Sequence, residues 1–267
     1  MSLVVLSYNV LATRHLHPAR YPDSPRGILA SEPRYERIAA LVASFRADCI
    51  CLQEVETRCF ETLVRHLGPL GYEGTHDPRS AALDEGCALF LRSSRVRVLE
   101  RQRVDFESAQ DSPDPSPRLA RIVRLEAAGG TFLLANTHLQ WDHPGTLPGQ
   151  KRGEAQARQL VARIEVLARG DEPAIVCGDF NDGPGGSVSR LLTGSGFLAA
   201  RETGLEVPTC RANGRLSEVD FIFHRGFHGV RPLPRAGLSV STPMPGEEHP
   251  SDHLPVCAEF QGWNPRP

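Results

Sequence analysis

Apolar residues in this chain gather into short runs, and the runs repeatedly end on a polar residue able to do chemistry. Leu3 to Tyr8 reads as a first strand that delivers Asn9 at its end. From His15 to Pro33, proline, arginine and glycine dominate, which predicts a long surface loop. Tyr35, Ile38, Leu41, Val42 and Phe45 then share one helical face. A buried strand follows, Cys49-Ile50-Cys51-Leu52, ending in Gln53-Glu54. Phe60, Leu63, Val64 and Leu67 mark a second helix, stopped at Gly68-Pro69.

Cys87 to Leu91 and Val96 to Arg101 read as a strand pair turned at Arg92-Ser93-Ser94. Phe106 to Pro117 is polar with prolines at alternate positions, the pattern of a surface loop. Leu119 to Leu125 and Thr131 to Thr137 form a hairpin pattern around Gly129-Gly130, and its second strand delivers His138. Ala157, Leu160, Val161, Ile164, Leu167 and Ala168 predict a helix. The run Ile175-Val176-Cys177 comes next, with Gly178 opening a turn that carries Asp179 and Asn181. Val219 to Phe223 holds Asp220 among apolar neighbours, and Leu254 to Phe260 is a closing strand with Ser251-Asp252-His253 at its start. Strands in adjacent pairs with helices between them predict an α/β protein of two mixed sheets rather than one doubly wound sheet.

Composition narrows this picture. No compositional break divides the 267 residues, so the expectation is one domain spanning 1–267. A net charge of −2 supplies no global basic field, so nucleic acid would have to be held by a local basic patch or by bound cations. No apolar run approaches a membrane span, and Met1-Ser2-Leu3-Val4-Val5-Leu6 has no basic segment or cleavage site of a leader. Seven scattered cysteines fit neither a disulfide framework nor a zinc site, which points to a reducing, cytoplasmic setting.

Candidate chemistry then sits at the strand ends: Asn9, Glu54, His138, Asp179, Asn181, Asp220, Asp252 and His253. Each alone has a plain structural explanation, as a turn residue, a paired acid or a core histidine. Collectively they place hard oxygen ligands and imidazoles where an α/β scaffold exposes functional groups. Such oxygens suit Mg²⁺, with Mn²⁺ as the alternative, in one or two copies. A hard cation in an acidic site implies a substrate with anionic oxygens, most simply phosphate.

Six ordered segments carry a resemblance across nearly the whole chain. They are Ser7-Tyr8-Asn9-Val10-Leu11-Ala12, Leu52-Gln53-Glu54-Val55, Thr137-His138-Leu139, Gly178-Asp179-Phe180-Asn181, Val219-Asp220-Phe221-Ile222-Phe223 and Pro250-Ser251-Asp252-His253-Leu254-Pro255. Together they resemble the endonuclease/exonuclease/phosphatase superfamily. The first and last of them, with Asn136 to Asp142, are similar to the branch holding CCR4-like deadenylases, nocturnin, the angel proteins and the 2′,5′-phosphodiesterase. The resemblance implies a four-layer α/β/β/α sandwich of two mixed sheets flanked by helices. It implies that Asn9, Glu54 and Asp252 hold the principal Mg²⁺. Asp179 would then deprotonate the attacking water and Asn181 would hold that water and the phosphate. His138 and His253 would donate to non-bridging oxygens, and Asp220 would keep His253 cationic.

The substrate implied is RNA at its 3′ end, with nucleic acid or nucleotide as the partner and neither a membrane nor an obligate protein. One departure bears on this. Deadenylases of the branch carry an adenine-stacking aromatic shortly before the strand of the Asp220 equivalent, whereas Thr209 to Glu218 contains none. Stacking is worth ~1–3 kcal/mol per base, so a poly(A) preference weakens while the hydrolytic site stands. The segment resembles the angel proteins, some of which are similar to 2′,3′-cyclic phosphatases. Arg211 and Arg215 are candidates for gripping phosphate, and Trp141 for stacking on a base. Hydrolysis of a small nucleotide or phospholipid head group is a further alternative, and a binding module on a degenerate nuclease fold is the non-enzymatic one.

Overall fold

The computed structural model describes residues 2–80, 82–107, 117–147, 149–201, 207–234 and 236–263. In chain order its elements are β1 (Ser2–Asn9), α1 (Ser31–Ser44), β2 (Cys49–Val55), α2 (Thr57–Leu67), β3 (Tyr72–Ser80), β4 (Leu83–Arg92), β5 (Arg97–Asp105), β6 (Leu119–Ala127) and β7 (Gly130–His138). There follow α3 (Arg152–Leu167), β8 (Ala174–Asp179), α4 (Ser187–Gly194), β9 (Leu198–Ala199), β10 (Cys210–Ala212), β11 (Arg215–Ser217), β12 (Asp220–Arg225), β13 (Gly229–Pro232) and β14 (Val256–Gln261).

The strands form two six-stranded mixed sheets, ordered β13-β14-β1-β2-β4-β3 and β5-β6-β7-β8-β12-β9, and a small β10–β11 hairpin. Alternate residues of the central strands face the other sheet. Val5, Cys51, Leu89, Leu134, Ile175, Ile222 and Ala258 thereby make one apolar layer between the sheets. Residues of opposite parity face outward onto helices. Ile38 and Val42 of α1 and Leu63 and Leu67 of α2 pack on Leu6, Ile50, Leu52 and Phe90. Leu160 and Ile164 of α3 and Leu192 of α4 pack on Leu133, Ala135, Val176 and Phe223. The result is the four-layer sandwich that the resemblance implied.

Two expectations need correction. The strands at Cys87–Leu91 and Val96–Arg101 are not a pair, because β4 and β5 lie in different sheets. The turn closed by Arg95 N and Val96 N on Arg92 O carries the chain from one sheet to the other. The true partner of β4 is β3, in antiparallel register. β3 escapes the hydrophobic pattern because it is an edge strand, with Glu73 and Gly74 exposed and Pro78 in its length. The stretch from His15 to Pro33 is also less loop-like than its composition suggests. Short 3₁₀ turns at Thr13–His15, Pro18–Arg20 and Arg26–Leu29 fold it down, burying Tyr21 and Ile28, and α1 has begun by Ser31. Most of the proline-rich segment from Phe106 to Pro117 lies outside the described residues.

Strand direction is what assembles the site. β1 and β2 are parallel, as are β7 and β8, so Asn9, Glu54, His138 and Asp179 are all delivered by C-terminal strand ends. Antiparallel β12 begins at Asp220, in register with Asp179, and β14 is entered from Asp252-His253 beside the end of β1. Beneath these residues a buried amide clamp ties the sheets together. Gln53 Nε2 donates to Asn136 Oδ1 at 2.8 Å, and Asn136 Nδ2 donates to the carbonyls of Leu52 and Ala88. Gly178 permits close approach of β8 to β7, since a Cβ there would lie 1.9 Å from the Thr137 carbonyl oxygen. At the opposite end the sandwich is closed by Phe132, Phe227, Phe260 and Trp263, with Phe227 and Phe260 ring centres 5.0 Å apart.

Candidate active site

Two site residues sit on unusual backbone. Glu54 has φ 57°, a left-handed conformation, where the register between β2 and β4 shifts after Leu52. Asn181 has φ 50°, tolerated by its short amide side chain. The bulge ends the regular ladder, so the Glu54 carboxylate turns back toward β1. There Asn9 Nδ2 donates to Glu54 Oε1 at 3.1 Å and to Asp179 Oδ2 at 3.0 Å, joining acids from the two sheets. The other oxygen of Glu54 accepts the Ala12 backbone N–H at 2.9 Å, and Asn9 Oδ1 accepts that of Leu11.

On the other side, Asp179 Oδ1 accepts the Asn181 N–H at 2.9 Å. The Asn181 amide bridges the Leu139 carbonyl and His138 Nε2, at 3.0 and 3.1 Å. That bond leaves the His138 proton on Nδ1, 4.0 Å from Glu54 Oε1. His253 Nδ1 lies 2.8 Å from Asp220 Oδ2, and its Nε2 lies 3.8 Å from both Asp179 Oδ2 and Asp252 Oδ1. All eight strand-end residues thus meet in one cleft.

The two imidazoles have opposite character. Burial, with Arg118 and Arg79 nearby, pushes His138 well below the usual histidine range, so it is neutral. Burial also opposes a charge on His253, but the Asp220 carboxylate and Cys210 outweigh it and lift His253 well above that range. Burial raises Asp179 to about 7, with Asp220 adding to the rise and His253 opposing it. Asp252 is raised by burial too, eased by His253 and reinforced by Glu54. A base with an affinity near neutrality stands beside a fixed cation.

The donor chemistry suits a hard cation. Asp252 Oδ1 and Asp220 Oδ1 are buried and lack hydrogen-bond partners among the described residues. Three groups bring their ligand atoms within 4.8 Å of one another: Asp179/Asp220/His253, His15/Glu54/Glu85 and Cys210/Asp252/His253. The last shows something that sequence spacing conceals. A bridge between Cys210 and His253 sets a thiol beside the histidine from 43 residues away, where spacing had paired no cysteine with the histidines.

Other residues were missed altogether. Tyr21, 5% exposed, donates its hydroxyl to Asp252 Oδ2 at 2.8 Å. The only hint in the sequence is that it is an aromatic inside a proline-rich stretch. Among the proposed substrate contacts, Arg211 is buried and committed, with Nη2 on Asp23 Oδ2 at 2.9 Å and Nε on the Val240 carbonyl. Arg215 is exposed at the start of β11. Trp141 is 53% exposed and stands edge-on to His143, while its neighbour Asp142 caps α3 through the N–H groups of Arg152 and Gly153.

Two stacked mixed sheets, with acids and imidazoles from both converging at one end, define a class of phosphoester hydrolases. The sequence matches the endonuclease/exonuclease/phosphatase family over residues 6–253, and the chain belongs to it. Within that family it is similar to carbon catabolite repressor protein 4 homolog 4 of Arabidopsis thaliana, 26% identical over 96% of this chain and 77% of that protein. It is also similar to the CCR4-Not complex 3′-5′-exoribonuclease subunit Ccr4 of Mycosarcoma maydis, 27% identical over 97% of this chain and 50% of that protein. In fold it is similar to ANGEL2, described as a 2′,3′-cyclic phosphatase, with a TM-score of 0.81, 23% identity and coverage of 97% and 95% of the two chains.

Proposed function

We propose that this chain is a Mg²⁺-dependent phosphodiesterase that hydrolyses RNA at its 3′ end by attack of activated water. The observation that carries the reading is the meeting of Asn9, Glu54, His138, Asp179, Asn181, Asp220, Asp252 and His253 in one cleft. A cation held by Glu54, Asp252 and Asn9, Mg²⁺ with Mn²⁺ as its substitute and in one or two copies, would supply charge stabilisation to the phosphoryl oxygens. Asp179 takes the proton of the attacking water, for which an affinity near 7 is well matched. Asn181, fixed by the Leu139 carbonyl, orients that water. His253, kept charged by Asp220, donates to a non-bridging oxygen, and neutral His138 donates from Nδ1.

Relatives named as 3′-5′-exoribonucleases support RNA as the substrate. That relative is also named as a subunit of the CCR4-Not complex, whereas the reading here requires RNA and no protein partner. A second reading, opening of a 2′,3′-cyclic phosphate, is favoured by the segment before β12. It folds as the β10–β11 hairpin and contains no aromatic; of its two arginines Arg215 is exposed, while Arg211 is held by Asp23 and the Val240 carbonyl. We take residues 1–267 as one domain. The seven cysteines, all free and buried, support a reducing cytoplasmic setting, and no described helix is long and apolar enough to cross a membrane.

The decisive experiment incubates the protein and Mg²⁺ with oligoribonucleotides ending in a hydroxyl, a 3′-phosphate or a 2′,3′-cyclic phosphate. A shortening ladder identifies an exonuclease. Loss of the cyclic phosphate alone identifies the second reading. No metal-dependent change in any of the three overturns both.

A further inference from the structure

Cys210, Asp252 and His253 come together inside the site, and the thiol takes no step in the mechanism above. All three side chains are buried, and one ligand atom from each lies within 4.8 Å of the others. Among the described residues no other cysteine belongs to such a group. The backbone fixes the arrangement. Arg211 N donates to the Asp252 carbonyl at 2.8 Å and Leu254 N to the Thr209 carbonyl at 2.6 Å, so β10 is clamped along 252–254 on both sides of Cys210.

The acid and the imidazole each have one polar atom committed elsewhere and one left over. Tyr21 occupies Asp252 Oδ2 at 2.8 Å, while Oδ1 is buried without a hydrogen-bond partner among the described residues. Asp220 Oδ2 holds His253 Nδ1 at 2.8 Å, which leaves Nε2 on the side of Asp252 Oδ1, 3.8 Å away. A carboxylate behind the imidazole is how metal-binding histidines are oriented. Asp179 Oδ2, also 3.8 Å from Nε2, can supply a fourth donor. Donor atoms around a tetrahedral zinc ion stand about 3.3–3.6 Å apart, given bonds of ~2.0 Å to nitrogen or oxygen and ~2.3 Å to sulfur. Side-chain movements of about an ångström bring the cluster to that spacing.

The donor set discriminates between ions. Thiolate and imidazole suit Zn²⁺, whereas Mg²⁺ demands oxygen. Asp252 belongs to both sets, since the proposed Mg²⁺ would share it with Glu54 and Asn9.

We infer that Cys210, Asp252 and His253 form an inhibitory Zn²⁺ site whose occupation excludes Mg²⁺. On binding, Zn²⁺ gains Cys210 Sγ, His253 Nε2 and Asp252 Oδ1, and the thiol and imidazolium protons pass to solvent. The ion then withholds Asp252 from Mg²⁺ and His253 from the non-bridging oxygen it would serve. Inhibition rests on the phosphodiesterase reading, whereas zinc binding itself does not.

The first measurement needs no substrate. Protein stripped of metal is titrated with Co²⁺, a spectroscopic stand-in for Zn²⁺, under a non-thiol reductant. The wild type should show near-ultraviolet thiolate-to-cobalt charge-transfer absorption that saturates at a single equivalent and disappears when Zn²⁺ is added. Cys210→Ser should lack the band. Asp252→Asn keeps the thiol, and its Co²⁺ affinity should fall about tenfold or more, so it tests the site even if Cys210→Ser does not fold. No band in the wild type, a band that survives in Cys210→Ser, or an unchanged affinity in Asp252→Asn overturns the inference. The second measurement follows the three oligoribonucleotides with Mg²⁺ and rising Zn²⁺. Zn²⁺ should inhibit and excess Mg²⁺ should relieve the inhibition. In Cys210→Ser, the Zn²⁺ concentration that halves that variant's own rate should rise about tenfold or more. Zinc that binds without inhibiting, or that inhibits regardless of Mg²⁺, overturns the exclusion of Mg²⁺. If cobalt and zinc bind as expected but no oligoribonucleotide is changed with Mg²⁺ alone, the zinc site stands and the phosphodiesterase reading fails.

Discussion

The two ends of the sandwich are made by the same strands and are opposite in chemistry. β7 begins beside Phe132 and ends at His138, β12 begins at Asp220 and leads to Phe227, and β14 follows His253 and carries Phe260. One end is sealed by aromatic rings, with Phe132 and Trp263 centres 5.9 Å apart and Phe227 and Trp263 5.5 Å apart. At the other end, Asp220 Oδ1 and Asp252 Oδ1 are buried without hydrogen-bond partners among the described residues, and Asp179 holds its proton up to near-neutral pH. The difference teaches a division of labour. The aromatic end stabilises the fold through burial, which lets the acid end keep buried oxygens that the proposed cation would satisfy.

Four substitutions or conditions break or sharpen that comparison. Asp179→Asn removes the proposed base, and kcat should fall by about a thousandfold with KM little changed, the usual scale for losing general-base catalysis. Equal loss of kcat and of substrate affinity would contradict the assigned role. At the other end, Phe132→Ala should cost ~3–5 kcal/mol in denaturant unfolding, while activity per folded molecule stays near wild type. If activity falls with stability held, the ends are not separate.

The acid end also predicts a pH signature in the metal-free protein. The Asp179 affinity is raised from 3.8 to about 7, so its contribution to stability is full below about pH 4 and is lost as pH rises through 7. Asp179→Asn has no such loss. Its thermal stability relative to wild type should therefore rise across that window by on the order of 1–3 kcal/mol and level off above it. A gap constant with pH would remove burial as the cause. The smallest effect concerns the hydroxyl of Tyr21 on Asp252. Tyr21→Phe should raise the Mg²⁺ concentration for half-maximal activity about tenfold, as loss of an orienting hydrogen bond to a metal ligand does. An unchanged Mg²⁺ titration would make Tyr21 a packing residue only.

Much of this molecule is legible in its sequence, and what is not has definable causes. The central strands announce themselves because both of their faces are buried, so β1, β2, β7, β8 and β12 read as apolar runs with a polar terminus. The site is readable for the same reason, since each run ends on the residue it presents. β3 is not readable, because an edge strand need not alternate, and β5 was paired with β4 because adjacency in sequence says nothing about which sheet a strand joins. Tyr21 and Cys210 are invisible for a further reason. Their meaning depends on partners 231 and 43 positions away, Asp252 and His253, so no local pattern marks them.

The left-handed backbone at Glu54 carries a last consequence. A side chain with a Cβ held at φ 57° costs the fold about 1 kcal/mol that glycine would not. Pressure for thermal robustness alone would replace this glutamate, giving up the carboxylate of the proposed site for a sturdier fold. On the proposed reading, the strained peptide is the cost of placing this carboxylate where the cation would sit.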